Sequence, residues 1–216
     1  MGDPDTDRRR NGSVARSVPD DIFRQWDTAY AGVPPWEIGR PQAVFVALAE
    51  AGRLDGRLLD VGCGTGETTL LAAAHGANAF GIDLSHRAVV LARAKAAQRG
   101  VPARFDVADV LHLDWTGELF DTVIDSGTFH LFDAVQRAAY IASVGAAIRP
   151  GGTYYLLCAR DDRPASWGPP GLGSDELARS FPDGWVITGV EPATFEVTDD
   201  APVDHVDAWL ATIARH

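Results

Sequence analysis

The sequence predicts an α/β fold, an open parallel sheet wrapped by helices, with a helical lid segment in front of it. Three observations predict it. From residue 57 onward, apolar runs as long as buried strands alternate with segments of helical size. The first run ends in the alternating glycines of "GCGTGE", residues 62–67. Two later runs lead to an acid, Asp83 and Asp109. Strands separated by helices of this length call for parallel pairing through right-handed crossovers.

Each element follows in order. Residues 1–20 hold no apolar stretch and are read as a disordered arm, residues 21–52 as the lid segment and residues 53–216 as the sheet domain. "RLLDVG" is a buried strand running into the glycine turn, and a helix follows at about 66–75. "ANAFGID" is the second strand. "SHRAVVLARAKAAQRG" is a helix, with Ser85 as its N-cap and Gly100 as its stop. "PARFDVAD" is a third strand reaching Asp109, and "LFDTVIDSG" a fourth. "DAVQRAAYIASVGAAI" is a helix, and "GTYYLLCAR" is the fifth strand after the turn "RPGG". "SDELARSF" reads as a short capped helix and "GWVITGVEP" as a sixth strand. "DHVDAWLATIARH" fits a helix or a last strand, and "DDRPASWGPPGLGS" is a Pro/Gly-rich loop near the sheet's carboxyl edge.

A chain of 216 residues suffices for one well-buried domain with an arm. Thirty acids against 19 Lys and Arg give a formal charge of −11. That balance disfavours nucleic acid and anionic membranes, and it fits an enzyme of small molecules. Cys63 and Cys158 lie in apolar runs with no CxxC or Cys/His cluster, so no metal is expected and a reducing cytoplasm is. No run resembles a membrane span.

The glycine loop admits three ligands. A nucleoside triphosphate needs Gly-Lys-Ser/Thr, and Glu67 stands where the lysine belongs. A dinucleotide needs GxGxxG, which again puts a glycine at Glu67, and a carboxylate there is a poor neighbour for pyrophosphate. S-adenosylmethionine has no phosphate and welcomes acids. Asp60 would attract its ammonium, Asp83 would accept both ribose hydroxyls, and Asp109 would accept from the adenine amine. The three acids belong to three strand ends and converge on one edge of the sheet.

"LLDVGCGTGE", with "GIDLS" and "DVADV" after it, resembles the class I S-adenosylmethionine-dependent methyltransferases over roughly residues 57–160. The resemblance implies a sheet of order 3-2-1-4-5-7-6 with the last strand antiparallel, so "DAWLATIAR" becomes that strand. It assigns Gly62, Cys63, Gly64, Thr65 and Gly66 to the cofactor, with Leu84 and Val110 sandwiching the adenine.

In the arm, helical spacing puts Trp26 and Tyr30 on one face, with Trp36 nearby and Pro34, Pro35 and Pro41 stiffening the chain. Such rings either glue the arm to the domain or cover the sulfonium. The pattern "W…Y.G..PWEIGRPQ" resembles the arm of thiopurine and plant halide/thiol methyltransferases and of mycobacterial heterocyclic-toxin methyltransferases. In those relatives the arm closes over the site. This carries Trp26 and Trp36 over to the cofactor and Tyr30 and Arg40 to the acceptor. The plant relatives have a further tryptophan where this chain has Ala29, so halide chemistry is not carried over.

After the fourth strand, "DSGTFHLF" faces the reactive methyl in this fold. Asp125 is expected at the methionine moiety, and Phe129 and His130 in the acceptor pocket. His130 is either the base that takes an acceptor proton or a loop residue that caps the next helix. Trp167, in the Pro/Gly loop, either walls the acceptor site or anchors the loop. The function expected is methyl transfer from S-adenosylmethionine to an O, N or S nucleophile of a small aromatic or heterocyclic acceptor, by a monomer or homodimer. The alternatives are a nicotinamide-dependent oxidoreductase and a non-catalytic S-adenosylmethionine-binding protein.

Overall fold

A computed structural model describes residues 20–162 and 171–216. The expected arm over residues 1–20 lies outside them except for Asp20, and so does Trp167. Two helices come first, α1 (Asp20–Ala29) and α2 (Ala43–Glu50). The alternation follows as β1 (Arg57–Val61), α3 (Glu67–Ala74), β2 (Asn78–Asp83), α4 (His86–Arg99), β3 (Arg104–Val107) and β4 (Phe120–Ser126). It closes with α5 (Ala134–Ala147), β5 (Ile148–Ala159), α6 (Ser174–Arg179), β6 (Trp185–Glu196) and β7 (His205–Arg215).

The seven strands form one sheet in the order β3-β2-β1-β4-β5-β7-β6, as the resemblance implies. The strands β1 to β5 pair in parallel, and β7 runs antiparallel to both β5 and β6. The ambiguous last segment is therefore a strand. Its alternation places Val206, Ala208, Ala211 and Ile213 in the buried cores.

Period-two alternation sends neighbouring side chains to opposite layers. In β1, Leu58 joins the core under α2 and α3, with Phe45, Ala72 and Ile124. The next residue, Leu59, joins the core under α5, with Tyr140, Val144 and Tyr154. Both faces of the sheet are thus covered, and its carboxyl edge carries the loops.

Three local expectations shift. The strand β3 ends at Val107, two residues before Asp109. The "RPGG" segment is absorbed into β5 as a bulge: pairing jumps from Phe120–Ile148 to Thr122–Thr153, with Gly151 at φ +80°. The helix α6 has Gly173 as N-cap with no side-chain cap, whereas Ser85 caps α4 by accepting from the Ala88 amide, and Gly100 ends it in the left-handed region. Among the described residues no helix is long and apolar enough to cross a membrane.

Candidate active site

The glycine loop leaves β1 and turns over the ends of its neighbours. The Cys63 amide donates to the Ile82 carbonyl, and the Gly64 amide donates to Asp83 Oδ2 at 2.8 Å. Gly62 has φ +71°, and a Cβ on it would lie 2.0 Å from Thr128 Oγ1, which donates to the Val61 carbonyl. Gly64 has φ +54°, and a Cβ there would come within 2.8 Å of the Tyr30 hydroxyl. The bareness of the loop is therefore set by what stands against it as well as by its turn.

The cleft above this loop is lined by Asp60, Gly62, Cys63, Gly64, Glu67 and Thr68 from the loop and its flanks, by Trp36, Ile38, Arg40 and Gln42 from the arm, and by Ser126 and Phe195 from the ends of β4 and β6. Tyr30 and Glu37 stand where the arm crosses.

Asp60 is buried in the cleft wall. Thr69 Oγ1 donates to its Oδ2 at 2.6 Å, while its Oδ1 has no protein partner among the described residues. Burial pushes this carboxyl up to about 7 despite the Thr69 bond, and the nearby Asp125 and Asp83 push the same way. An orphaned, desolvated carboxylate oxygen on a cleft wall suits a cationic hydrogen-bond donor. The ammonium of S-adenosylmethionine has that chemistry, and the glycine backbone beside it accepts a close neighbour. The residues fit the cofactor.

Asp83 also lies buried, its oxygens accepting from the amides of Gly64 and Ser85 at 2.8 Å each. Burial raises its carboxyl to about 6 against those bonds. Each oxygen retains a second lone pair. Asp109 accepts from the Leu111 amide, Leu84 is half-buried, and Val110 belongs to the larger core.

The arm reaches the loop through aromatic and ionic contacts. Trp36 sits edge-on to Trp26 at 6.0 Å and to Tyr30 at 6.4 Å, and its indole N–H donates to the Tyr30 hydroxyl. Tyr30 was expected at the acceptor; its hydroxyl stands against Gly64, on the cofactor loop. Thr65, expected at the cofactor, turns its hydroxyl to donate to Glu37 at 2.7 Å. Asp27 accepts from Ser85 Oγ, the Arg87 amide and Arg87 Nε, docking α1 on the start of α4. Burial would raise Asp27, but those bonds outweigh it and hold its carboxyl below the usual range.

Three assignments are corrected. Asp125 is fully buried and accepts four hydrogen bonds, from the amides of Thr128 and Phe129 and the hydroxyls of Tyr140 and Tyr154. With both oxygens engaged inward, it braces the turn after β4 instead of meeting the methionine moiety. Phe129 is fully buried, stacked on Phe181 at 5.8 Å, and belongs to the core instead of the acceptor pocket. The α5 cap is Asp133, in a capping box with Gln136, so His130 does not cap that helix.

His130 is half-buried. Its Nδ1 accepts from the Ala159 amide at 3.4 Å, which places the ring proton on Nε2, and its ring meets Phe195 edge-on at 6.4 Å. Arg40 forks onto Glu196 at 2.8 and 2.9 Å. Glu67, the residue that argued against pyrophosphate, is held by Lys95 and Arg99, so its charge is compensated and that argument loses force.

Sequence reasoning missed Glu37, Ile38, Gln42, Ser126 and Phe195. The first three lie inside the "PWEIGRPQ" stretch that flagged the arm. Phe195 was not singled out: β5 and β7 separate its strand from β4 in the sheet, and only the folded packing sets its ring against Gly127, just past the end of β4.

Comparison with known proteins agrees with this geometry. Residues 58–152 match the methyltransferase domain family. The chain is 35% identical over 173 residues to a 2-heptyl-1-hydroxyquinolin-4(1H)-one methyltransferase of Mycobacteroides abscessus, covering 79% of this chain and 76% of the relative. It is 31% identical over 149 residues to a probable thiol methyltransferase of Arabidopsis thaliana, covering 67% and 65%. A solved structure from work on the conversion of a disulfide bond into a thioacetal group during echinomycin biosynthesis superposes with a TM-score of 0.81. The identity there is 36%, over 90% of this chain and 92% of that one. These likenesses leave no room for the nicotinamide reading: the chain belongs to the class I S-adenosylmethionine-dependent methyltransferases.

Proposed function

We propose that this enzyme transfers a methyl group from S-adenosylmethionine to an O, N or S nucleophile on a small, flat aromatic or heterocyclic ring. The observation that carries the reading is a cleft whose lining joins two kinds of surface. It presents bare backbone and the orphaned Asp60 oxygen. It also presents Trp36, Ile38 and Phe195, with Arg40 already matched by Glu196. Walls of that kind favour a neutral, planar acceptor. The quinolinone substrate named for the mycobacterial relative is of this class.

S-adenosylmethionine, when bound, supplies an electrophilic methyl whose leaving group is a neutral thioether. The protein's own residues align the reactants and exclude water. Asp60 holds the ammonium, Asp83 offers its remaining lone pairs to the ribose hydroxyls, and Asp109 accepts from the adenine amine beside Leu84. Tyr30 and Trp36 roof the loop. Phe195 supports the acceptor ring and His130 backs Phe195; the proton that a hydroxyl, thiol or ring N–H loses on methylation is released to solvent.

The acidic balance supports a free small molecule in the cytoplasm as the acceptor, ahead of nucleic acid. A panel of hydroxylated, thiolated and aza-heterocycles, incubated with methyl-labelled cofactor, tests the proposal. Label transferred to a ring compound supports it. Tight cofactor binding with no transfer to any member would favour a non-catalytic binding protein.

A further inference from the structure

Four charged side chains meet where the arm crosses the glycine loop. Glu37, on the arm, accepts from Thr65 Oγ1 at 2.7 Å and from Lys95 Nζ at 3.4 Å. Lys95, reaching from α4, also donates to Thr65 Oγ1 and, at 2.7 Å, to Glu67 Oε1. Arg99, one turn further along α4, forks onto Glu67 at 2.8 Å through both terminal nitrogens. The side chains of Glu37, Lys95 and Glu67 keep only 18%, 23% and 9% of their surface exposed. The cluster is therefore screened less than a surface pair.

The two pairs have different mechanical meanings. Glu67 and Arg99 belong to α3 and α4, which pack together over β2 and β3 through Leu70, Val89 and Phe105. Glu37 belongs to the arm, which also carries the roof of Tyr30 and Trp36. Lys95 is shared between the fixed pair and the arm. The Tyr30 hydroxyl stands against Gly64, so the arm covers the backbone on which a ligand would lie.

We propose that Lys95 is a positioning residue: it clasps the arm to the glycine loop through Glu37 and Thr65, and so sets how long cofactor and product stay bound. This rests on the methyltransferase reading of the cleft. Lys95 acts through Glu37 and Thr65, not by touching the ligand. Its loss leaves Glu67 with Arg99 but leaves Glu37 with only the Thr65 hydroxyl.

The test titrates the full chain with S-adenosylhomocysteine by calorimetry and times its release by stopped-flow tryptophan fluorescence. Lys95→Met and Glu37→Gln should each weaken binding about tenfold, through faster release. The double variant should be weakened by no more than about tenfold, because both changes remove one contact. Lys95→Arg should restore affinity to within about threefold, since it keeps the charge. Arg99→Met breaks the fixed pair alone; it should lower Tm without speeding release. Release from Lys95→Met at the wild-type rate, additive losses in the double variant, or losses that track Tm across all variants would overturn the clasp. Failure of the wild-type chain to bind S-adenosylhomocysteine would overturn the cofactor reading, and the clasp with it.

Discussion

The Tyr30 hydroxyl lies so close to Gly64 that a Cβ on the glycine would come within 2.8 Å of it. The arm and the cofactor loop are thus fitted to each other at van der Waals distance, with the Trp36 indole N–H donating to the same hydroxyl at 3.1 Å. Gly64→Ala adds both a collision and a left-handed alanine, which costs roughly 1–2 kcal/mol by itself. Gly64→Ala should weaken S-adenosylhomocysteine binding by about 100-fold, and Tyr30→Phe in the same chain should recover part of that loss. Calorimetry on the four-member cycle measures it. A double variant no better than Gly64→Ala would mean that the hydroxyl is not the obstacle.

The buried carboxyls make both stability and binding depend on pH, in opposite senses. Burial raises Asp60 to about 7 and Asp83 and Asp125 to about 6. Between about pH 4 and pH 7 the folded chain holds protons that the unfolded chain has released, so stability falls as pH rises through that window. An ammonium beside Asp60 needs the ionised form. Affinity for S-adenosylhomocysteine should therefore climb up to about tenfold per pH unit below 7 and level off above it. Calorimetry in two buffers of different ionisation heat should show a proton released on binding. Asp60→Asn should bind weakly and without that pH slope.

Asp125 accepts from two tyrosine hydroxyls and two amides; removing it takes this acceptor from all four donors and leaves the hydroxyls only their 3.5 Å contact with each other. Asp125→Ala should destabilise the domain by roughly 2–4 kcal/mol, seen as a lower urea midpoint. Tyr154→Phe removes one donor and leaves the carboxylate three, so it should cost only about 1 kcal/mol. Equal losses for the two variants would contradict the bracing role.

His130 gives its Nδ1 to the Ala159 amide and its ring edge to Phe195. If Phe195 supports the acceptor as proposed, a residue used this way affects rate by placing that ring. His130→Ala should lower kcat/KM about tenfold with the shape of the pH–rate profile retained. Loss of the acidic limb of that profile would restore the residue as a base.

The glycine loop, the acids at residues 60 and 83, and the alternation of strand and helix were legible because each is dictated by neighbours in sequence. A turn needs its glycines locally, and an acid at a strand end is placed by the strand. Asp125 and Phe129 were misread for the opposite reason. Their partners, Tyr140, Tyr154 and Phe181, lie on other elements, and no local pattern says whether a side chain after β4 turns outward to the cleft or inward to the core. Phe195 was invisible because its place depends on the order of β7 and β6 at the sheet edge. The ionic cluster at Lys95 escaped notice for a similar reason, since Glu37 and Lys95 are 58 positions apart.

Gln42 and Glu196 bond each other twice, side chain to backbone, across 154 positions of chain. On the ribosome these two partners emerge far apart in time, so the tie between the arm and the end of β6 is among the last contacts the growing chain can make.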